Sequence, residues 1–197
     1  MHAMLGNHTL LHEDSALSTT RIVLAEHDPA WAEAFTREAE RIRPAFGRLL
    51  IQLHHIGSTA VPGLAAKPVI DMLAVVSDVH QLDRHTAAFD ALGYEAMGEY
   101  GLPGRRYFRR NDSAGVRTHQ VHAYAPGSAD DIERHLAFKD FLRAHPDTAR
   151  AYHDLKQRLI DECHDDMNCY SNGKTAFIRD IERRAAEVRT ERPLTGG

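Results

Sequence analysis

The residues of this chain best suited to chemistry crowd into one stretch, His55-Ile56-Gly57-Ser58-Thr59-Ala60-Val61-Pro62-Gly63-Leu64-Ala65-Ala66-Lys67-Pro68-Val69-Ile70-Asp71. A strand that ends in Gly57-Ser58 lets backbone N–H groups approach a phosphate closely, because glycine has no side chain in the way. Ser58 and Thr59 add hydroxyl donors, and Lys67 adds a cation able to neutralise a further phosphate oxygen. Asp71 interrupts the near-continuous apolar run from Val69 to Val76, where an unpaired charge is costly to bury. A carboxylate at such a place is a candidate ligand for a divalent cation beside the same phosphate. A Gly-Ser turn alone is an ordinary loop. Its combination with an aspartate on the next strand is what marks a site.

Other residues belong to the same chemistry. In the strand expected over Thr118 to Tyr124, alternation puts Thr118, Gln120 and His122 on one face and His119, Val121 and Ala123 on the other. An Asp71–His122 pair would hold one Mg²⁺, Mn²⁺ or Zn²⁺ ion, or act as orienting carboxylate and general base. The structural alternative for His122 is a hydrogen-bonded, half-buried histidine. Arg105 and Arg106 follow the turn at Gly104, and alternation lets only one of them face a site and clamp a phosphate or carboxylate bidentately. Tyr170 and Lys174, spaced i, i+4 across a helix start, can share a face toward the same cleft, although capping and surface roles suit them equally.

Three other patterns carry less. Gly173-Lys174-Thr175 resembles the end of a P-loop but has Asn168 where that motif needs glycine, and a helix precedes it. Cys163, His164, Asp166 and Cys169 have no usual zinc spacing. The charged runs from Glu182 to Arg184 and from Glu187 to Arg192 are solvated helix surface.

These residues need elements to hold them. Arg21 to Leu24 reads as a short β-like stretch, and Asp28-Pro29 as the N-cap and first position of a helix. That helix carries Trp31, Phe35, Ala39 and Ile42 as a core stripe. Leu49 to Ile56 reads as a strand, Gly57 to Lys67 as a loop, and Val69 to Val76 as a strand buried on both faces. Val79 to Leu92 reads as one helix closed by Gly93. Three strands follow, at Tyr94 to Glu99, Arg105 to Arg110 and Thr118 to Tyr124. From Asp130 onward the pattern is helical, over Asp131 to Ala144, Asp147 to Cys163, and from Ser171 on. The chain is α/β first and all-helical afterwards, a single domain over 21–186 with tails at 1–20 and 187–197.

The bounds are consistent with this. The 197 residues are 43% hydrophobic, enough for a core. A net charge of -4 argues against a nucleic-acid partner, and fourteen histidines can reverse it near pH 6. Two cysteines do not make a disulfide framework, so a reduced, cytoplasmic setting is expected. No apolar run is long enough for a membrane helix, and no secretory signal opens the chain.

The segment from His55 to Asp71 resembles the hallmark of the GrpB (UPF0157) family, H-I-G-S-T-[AS]-V-P-G-L-x-[AS]-K-P-x-I-D, essentially throughout. His27-Asp28-Pro29-Ala30-Trp31, Gly104-Arg105-Arg106-Tyr107-Phe108 and His119-Gln120-Val121-His122 are similar to further family motifs. So is His135-Leu136-Ala137-Phe138-Lys139-Asp140-Phe141-Leu142, with Lys139 where arginine is usual, and so are Tyr170, Lys174, Phe177 and Ile178. The resemblance spans about Arg21 to Ala186. It implies a nucleotidyltransferase-like mixed β-sheet flanked by helices, with a helical C-terminal portion. It points to Arg106 and His122 as site residues, and through members fused to dephospho-CoA kinase it hints at adenine nucleotides or coenzyme A. The superfamily pattern places a second carboxylate two residues after the first, where this chain has Leu73. That departure leaves three functions: a metal-dependent transferase acting on a nucleotide and a small acceptor, a nucleotide- or metabolite-binding module without catalysis, or a metal-dependent small-molecule hydrolase.

Overall fold

The computed structural model describes residues 22–191. The expected tail at 1–20, Arg21 and residues 192–197 lie outside the described residues, whereas 187–191, expected as tail, continue the last helix. Five strands form one sheet: β1 (Leu50–Ile56), β2 (Ile70–Val76), β3 (Glu95–Ala96), β4 (Arg106–Asn111) and β5 (Arg117–Tyr124). Their order is β1-β2-β5-β4-β3, with β2 and β5 parallel and every other pair antiparallel. The helices are α1 (Ala30–Phe46), α2 (Val79–Leu82), α3 (Thr86–Asp90), α4 (Ala129–Ala144), α5 (Pro146–Cys163), α6 (Met167–Gly173) and α7 (Thr175–Glu191). This is the mixed sheet flanked by helices, with a helical C-terminal part, that the sequence led us to expect.

The two faces of the sheet have different covers. On one, Met72, Ala74, Val76, Phe108, Val121 and Ala123 bury against Trp31, Ile42 and Phe46 of α1 and Phe89 of α3. On the other, Leu73 and Tyr124 pack with Ile56 beneath Ile132 and Leu136 of α4. Strand β2 is therefore apolar in both directions, which is why its sequence reads as an unbroken run. Phe141 and Leu142 of α4, Tyr152 of α5 and Ile181 of α7 close on Val61 and Leu64, pinning the loop after β1 to the helical layer.

Several expected elements differ in ways tertiary contacts explain. No strand forms at 22–24; the nearest pairing is a single bridge between Ala25 and Ala66. Asp28 does cap α1, its Oδ1 accepting the Ala30 N–H at 2.8 Å. The helix expected over Val79 to Leu92 breaks at Asp83–His85, where Asp83 binds the Arg106 guanidinium at 2.5 and 2.8 Å and the His85 ring contacts the Ala45 carbonyl at 3.0 Å. The strand expected from Tyr94 shrinks to two residues, because Tyr94 turns inward to donate to Glu38 at 2.8 Å. The helix expected from Ser171 is two helices that meet at Lys174. Asp166 caps the first by accepting from the N–H groups of Asn168 and Cys169.

The expectation of two reduced cysteines also needs correcting. Cys163 at the end of α5 and Cys169 in α6 are joined by a disulfide, their Cα atoms 5.5 Å apart. The turn between the helices brings the two together, which their spacing did not reveal. No helix among the described residues is long and apolar enough to cross a membrane.

Candidate functional site

The cleft of interest opens where β1 ends and β2 begins. Gly57 follows β1 with φ +70°, a value most L side chains avoid. A Cβ there would stand 2.6 Å from Asp71 Oδ2, so only glycine allows the turn to lie against the aspartate. Ile56 and Asp71 are register partners, and Asp71 in turn sits beside Gln120 of β5. The loop side chains Ser58, Thr59 and Lys67, the strand residues Asp71 and Gln120, and Tyr170, Ser171 and Lys174 from α6 and its end line one cavity of about 200 Å³. Tyr100 and Tyr107, stacked 5.2 Å apart, form an aromatic wall of the same cavity.

Of the residues singled out from sequence, the structure brings together Ser58, Thr59, Lys67, Asp71, Tyr170 and Lys174, with Gly57 supporting Asp71 from behind. His122 and Arg106 lie elsewhere. His122 pairs in register with Leu73, is buried under α4, and contacts the rings of Tyr107 and His135 and, at 3.5 Å, the Arg105 guanidinium. This is the buried, contact-bound histidine weighed as the alternative. Arg106 pairs with Ala123 on the α1 side of the sheet and is held by Asp83, so it points away from the cleft. Arg105 is the arginine on the cleft-side face, buried and bound to the carbonyls of Glu99 and Tyr100. His119 lies on the α1 side within a buried cluster of Glu38, Arg41, Tyr94 and Arg110.

Sequence reasoning missed Tyr100, Tyr107, Ser171 and Lys156. Tyr107 and Ser171 were legible in principle, from strand alternation with His122 and from adjacency to Tyr170. Lys156 left no signal, because a lysine on a helix ordinarily extends to solvent.

Charge in the cleft is predominantly positive. Burial raises the Asp71 carboxyl to about 6, although Lys67, Lys174 and Arg117 pull it down. Burial, helped by Lys67 and opposed by Asp71, lowers the Lys174 ammonium to about 8. Lys174 also lies over the Tyr170 ring, 4.3 Å from its centroid. One carboxylate between two lysines is a poor cradle for a divalent cation, and with His122 facing a guanidinium the expected second ligand is lost. Among the described residues no group of three or more His, Cys, Asp or Glu is placed to hold a metal. The donor set does not fit a resident metal. It fits an anion.

A larger groove of about 520 Å³ lies between α4 and α7. Its lining is mostly apolar, including Leu136, Phe141 and Val188, and none of the sequence-derived site residues reaches it.

Comparison with known proteins gives a consistent picture. The family model described as "GrpB protein" matches residues 21–184. The UPF0157 protein YqkA of Bacillus subtilis is 40% identical over 177 residues, covering 90% of this chain and 51% of that one. This chain thus spans about half the length of that relative. A dephospho-CoA kinase of Mycolicibacterium paratuberculosis is 28% identical, over 90% of this chain and 49% of its own. The crystal structure of the conserved protein GrpB from Enterococcus faecalis superposes with a TM-score of 0.81 at 41% identity, covering 86% of this chain and all of that one.

Proposed function

The chain belongs to the GrpB family, and we propose that its cleft binds the phosphate of a nucleotide or similar small molecule and transfers a phosphoryl or nucleotidyl group to a small acceptor. The observation that carries this reading is the placement of Asp71 between Lys67 and Lys174 in a cavity that Ser58 also lines. The lysines neutralise phosphate oxygens and Ser58 offers its hydroxyl to them, whereas the Thr59 hydroxyl donates to the Val69 carbonyl at 3.2 Å and holds the loop to β2. Asp71, raised to about 6, is charged at neutral pH yet basic enough to take the proton of an acceptor hydroxyl as its oxygen bonds to phosphorus. The P–O bond to the leaving group breaks with its electron pair on the departing anion. A volume of about 200 Å³ suits a phosphate-bearing group rather than a whole nucleotide, for which small-molecule sites commonly offer roughly 300–1,000 Å³. The rest of the ligand then extends along the Tyr100 wall toward solvent. The dephospho-CoA kinase relative supports adenine nucleotides and coenzyme A precursors as the first ligands to try.

The metal that nucleotidyltransferase-like chemistry would bring has no preformed cradle here. Magnesium would enter on the phosphates of the nucleotide itself, and no step above is assigned to it. One observation favours the reading without catalysis. Leu73, at the position of the second carboxylate, is fully buried in the cluster under α4, so the missing ligand is not replaced in place.

The test is thermal stability with adenosine nucleotides, coenzyme A precursors and pyrophosphate, each with and without Mg²⁺, followed by product analysis for every stabilising ligand. A ligand at about a hundred times its Kd adds about 2.7 kcal/mol. Stabilisation lost in Lys174→Met, with turnover lost in Asp71→Asn, is the expected pattern. Stabilisation without turnover selects the binding module, and no stabilisation by any phosphate compound discards the reading.

A further inference from the structure

Behind the cleft wall the fold buries a lysine that the chemistry above does not use. Lys156, on α5, is 2% exposed. Its Nζ donates to the Ala65 carbonyl, lies 3.4 Å from Ser58 Oγ, and sits over the Tyr152 ring, 4.8 Å from the centroid. Among the described residues its neighbours are a carbonyl, a hydroxyl and an aromatic face rather than a carboxylate. A buried ammonium without a counter-ion is costly, and the amine relieves that cost by losing its proton. Burial, reinforced by Lys174, brings Lys156 down to about 7. A neutral amine there can keep one N–H on the Ala65 carbonyl and turn its lone pair to the Ser58 hydroxyl. Ser58 itself lines the cavity with Asp71, Lys67 and Lys174.

We propose that Ser58 is a nucleophile and Lys156 its general base, so that group transfer in this cleft runs through a covalent phosphoseryl intermediate. The inference rests on the phosphate reading of the same cleft. In the first displacement Ser58 Oγ forms a bond to phosphorus, its proton passes to the Lys156 amine, and the P–O bond to the leaving group breaks with the electron pair on the departing anion. In the second, the acceptor oxygen attacks the phosphoseryl phosphorus and gives its proton to Asp71. The P–Oγ bond breaks and Oγ recovers its proton from the Lys156 ammonium. A serine with a lysine base is a recurring alternative to serine with histidine, and a somewhat long contact in the ligand-free state is usual for such pairs. The groups facing Lys156 are Ser58 from the loop, Tyr152 on its own helix and Lys174 from the α6–α7 corner, with Tyr170 acting on Tyr152. Tyr152, which also hydrogen-bonds Ser58, and Tyr170 are held above their ordinary range by burial. Of the groups in contact with Ser58 it is therefore Lys156 that titrates near neutrality, with Asp71 at about 6 and Lys174 at about 8 flanking it in the cavity.

The experiment is covalent labelling with a small fluorophosphonate ester, read by intact mass and peptide mapping from pH 5 to 9. Labelling at Ser58, half-maximal near pH 7, absent in Ser58→Ala and at least tenfold slower in Lys156→Met, is the expected result. An unlabelled Ser58 at pH 9, or equal rates in Lys156→Met and wild type, overturns the proposal. If Lys156→Met melts below the assay temperature, the wild-type profile decides. A rate that levels off above pH 7 supports the dyad, and one that still climbs at pH 9 overturns it. Pyrophosphate stabilisation separates the two readings. Lys156-dependent labelling in a protein that pyrophosphate does not stabilise leaves the nucleophile standing and removes the phosphate reading. Stabilisation with an inert Ser58 does the reverse.

Discussion

At the residue scale, Gly57 and Asp71 constrain each other. A side chain at Gly57 meets both a strained φ of +70° and the Asp71 carboxylate. Gly57→Ala is expected to cost about 2 kcal/mol, lowering Tm by roughly 4–8 °C, and to reduce turnover by displacing the Asp71 carboxylate. Asp71 also makes stability depend on pH. Its folded value of about 6 lies above the ordinary 3.8, so the folded state binds more protons than the unfolded between those values. Stability therefore falls as pH rises from about 4 to 6 and stays lower above that. Asp71→Asn is expected to melt higher than wild type at pH 7, with the gap closing below about pH 4, which melting curves across that range would check. The glycine, serine, lysine and aspartate of this centre were legible because one short segment carries them all. Arg106 was harder to place, since alternation gives two faces without saying which one the cleft occupies, and His122 shares the face of Gln120 but lies two residues farther along, opposite Leu73.

At the element scale, α5 and α6 decide whether the cleft is closed. A Cβ on Gly173 would run into Leu159 of α5, so the end of α6 sits directly on that helix. Gly173→Ala is expected to push α6 away and cost about 1–3 kcal/mol, with weaker ligand binding because Tyr170, Ser171 and Lys174 move with it. The Cys163–Cys169 bridge ties the same two helices across a sequence separation of 6. For so short a loop its removal is expected to cost about 2 kcal/mol, a drop in Tm of roughly 4–8 °C that a scan with and without reductant would show. Long helices and the central strands were readable from their hydrophobic periods. The breaks at Asp83–His85 and Lys174, and the shortening of β3, were not. The first and the last depend on partners distant in sequence: Arg106 for Asp83, Ala45 for His85 and Glu38 for Tyr94.

At the scale of the whole molecule, the sheet presents two unlike faces. The α1 side is core, sealed at its edge by the Glu38 cluster, and the α4 side is core only as far as Leu73 and Tyr124. Where that cover ends, β1 and β2 deliver Gly57 and Asp71, the loop between them delivers Lys67, and the C-terminal helices deliver Lys174, the two lysines that make the cavity positive. The central claim is that these lysines bind phosphate directly rather than through a metal on Asp71. Calorimetric titration of ATP into wild type, Asp71→Asn and Lys174→Met, each with and without Mg²⁺, tests it most directly. The account predicts that Asp71→Asn binds as tightly as wild type or more tightly, since a negative charge leaves the cavity, while Lys174→Met loses about tenfold or more. Binding that requires Mg²⁺ and disappears in Asp71→Asn while surviving Lys174→Met would contradict it.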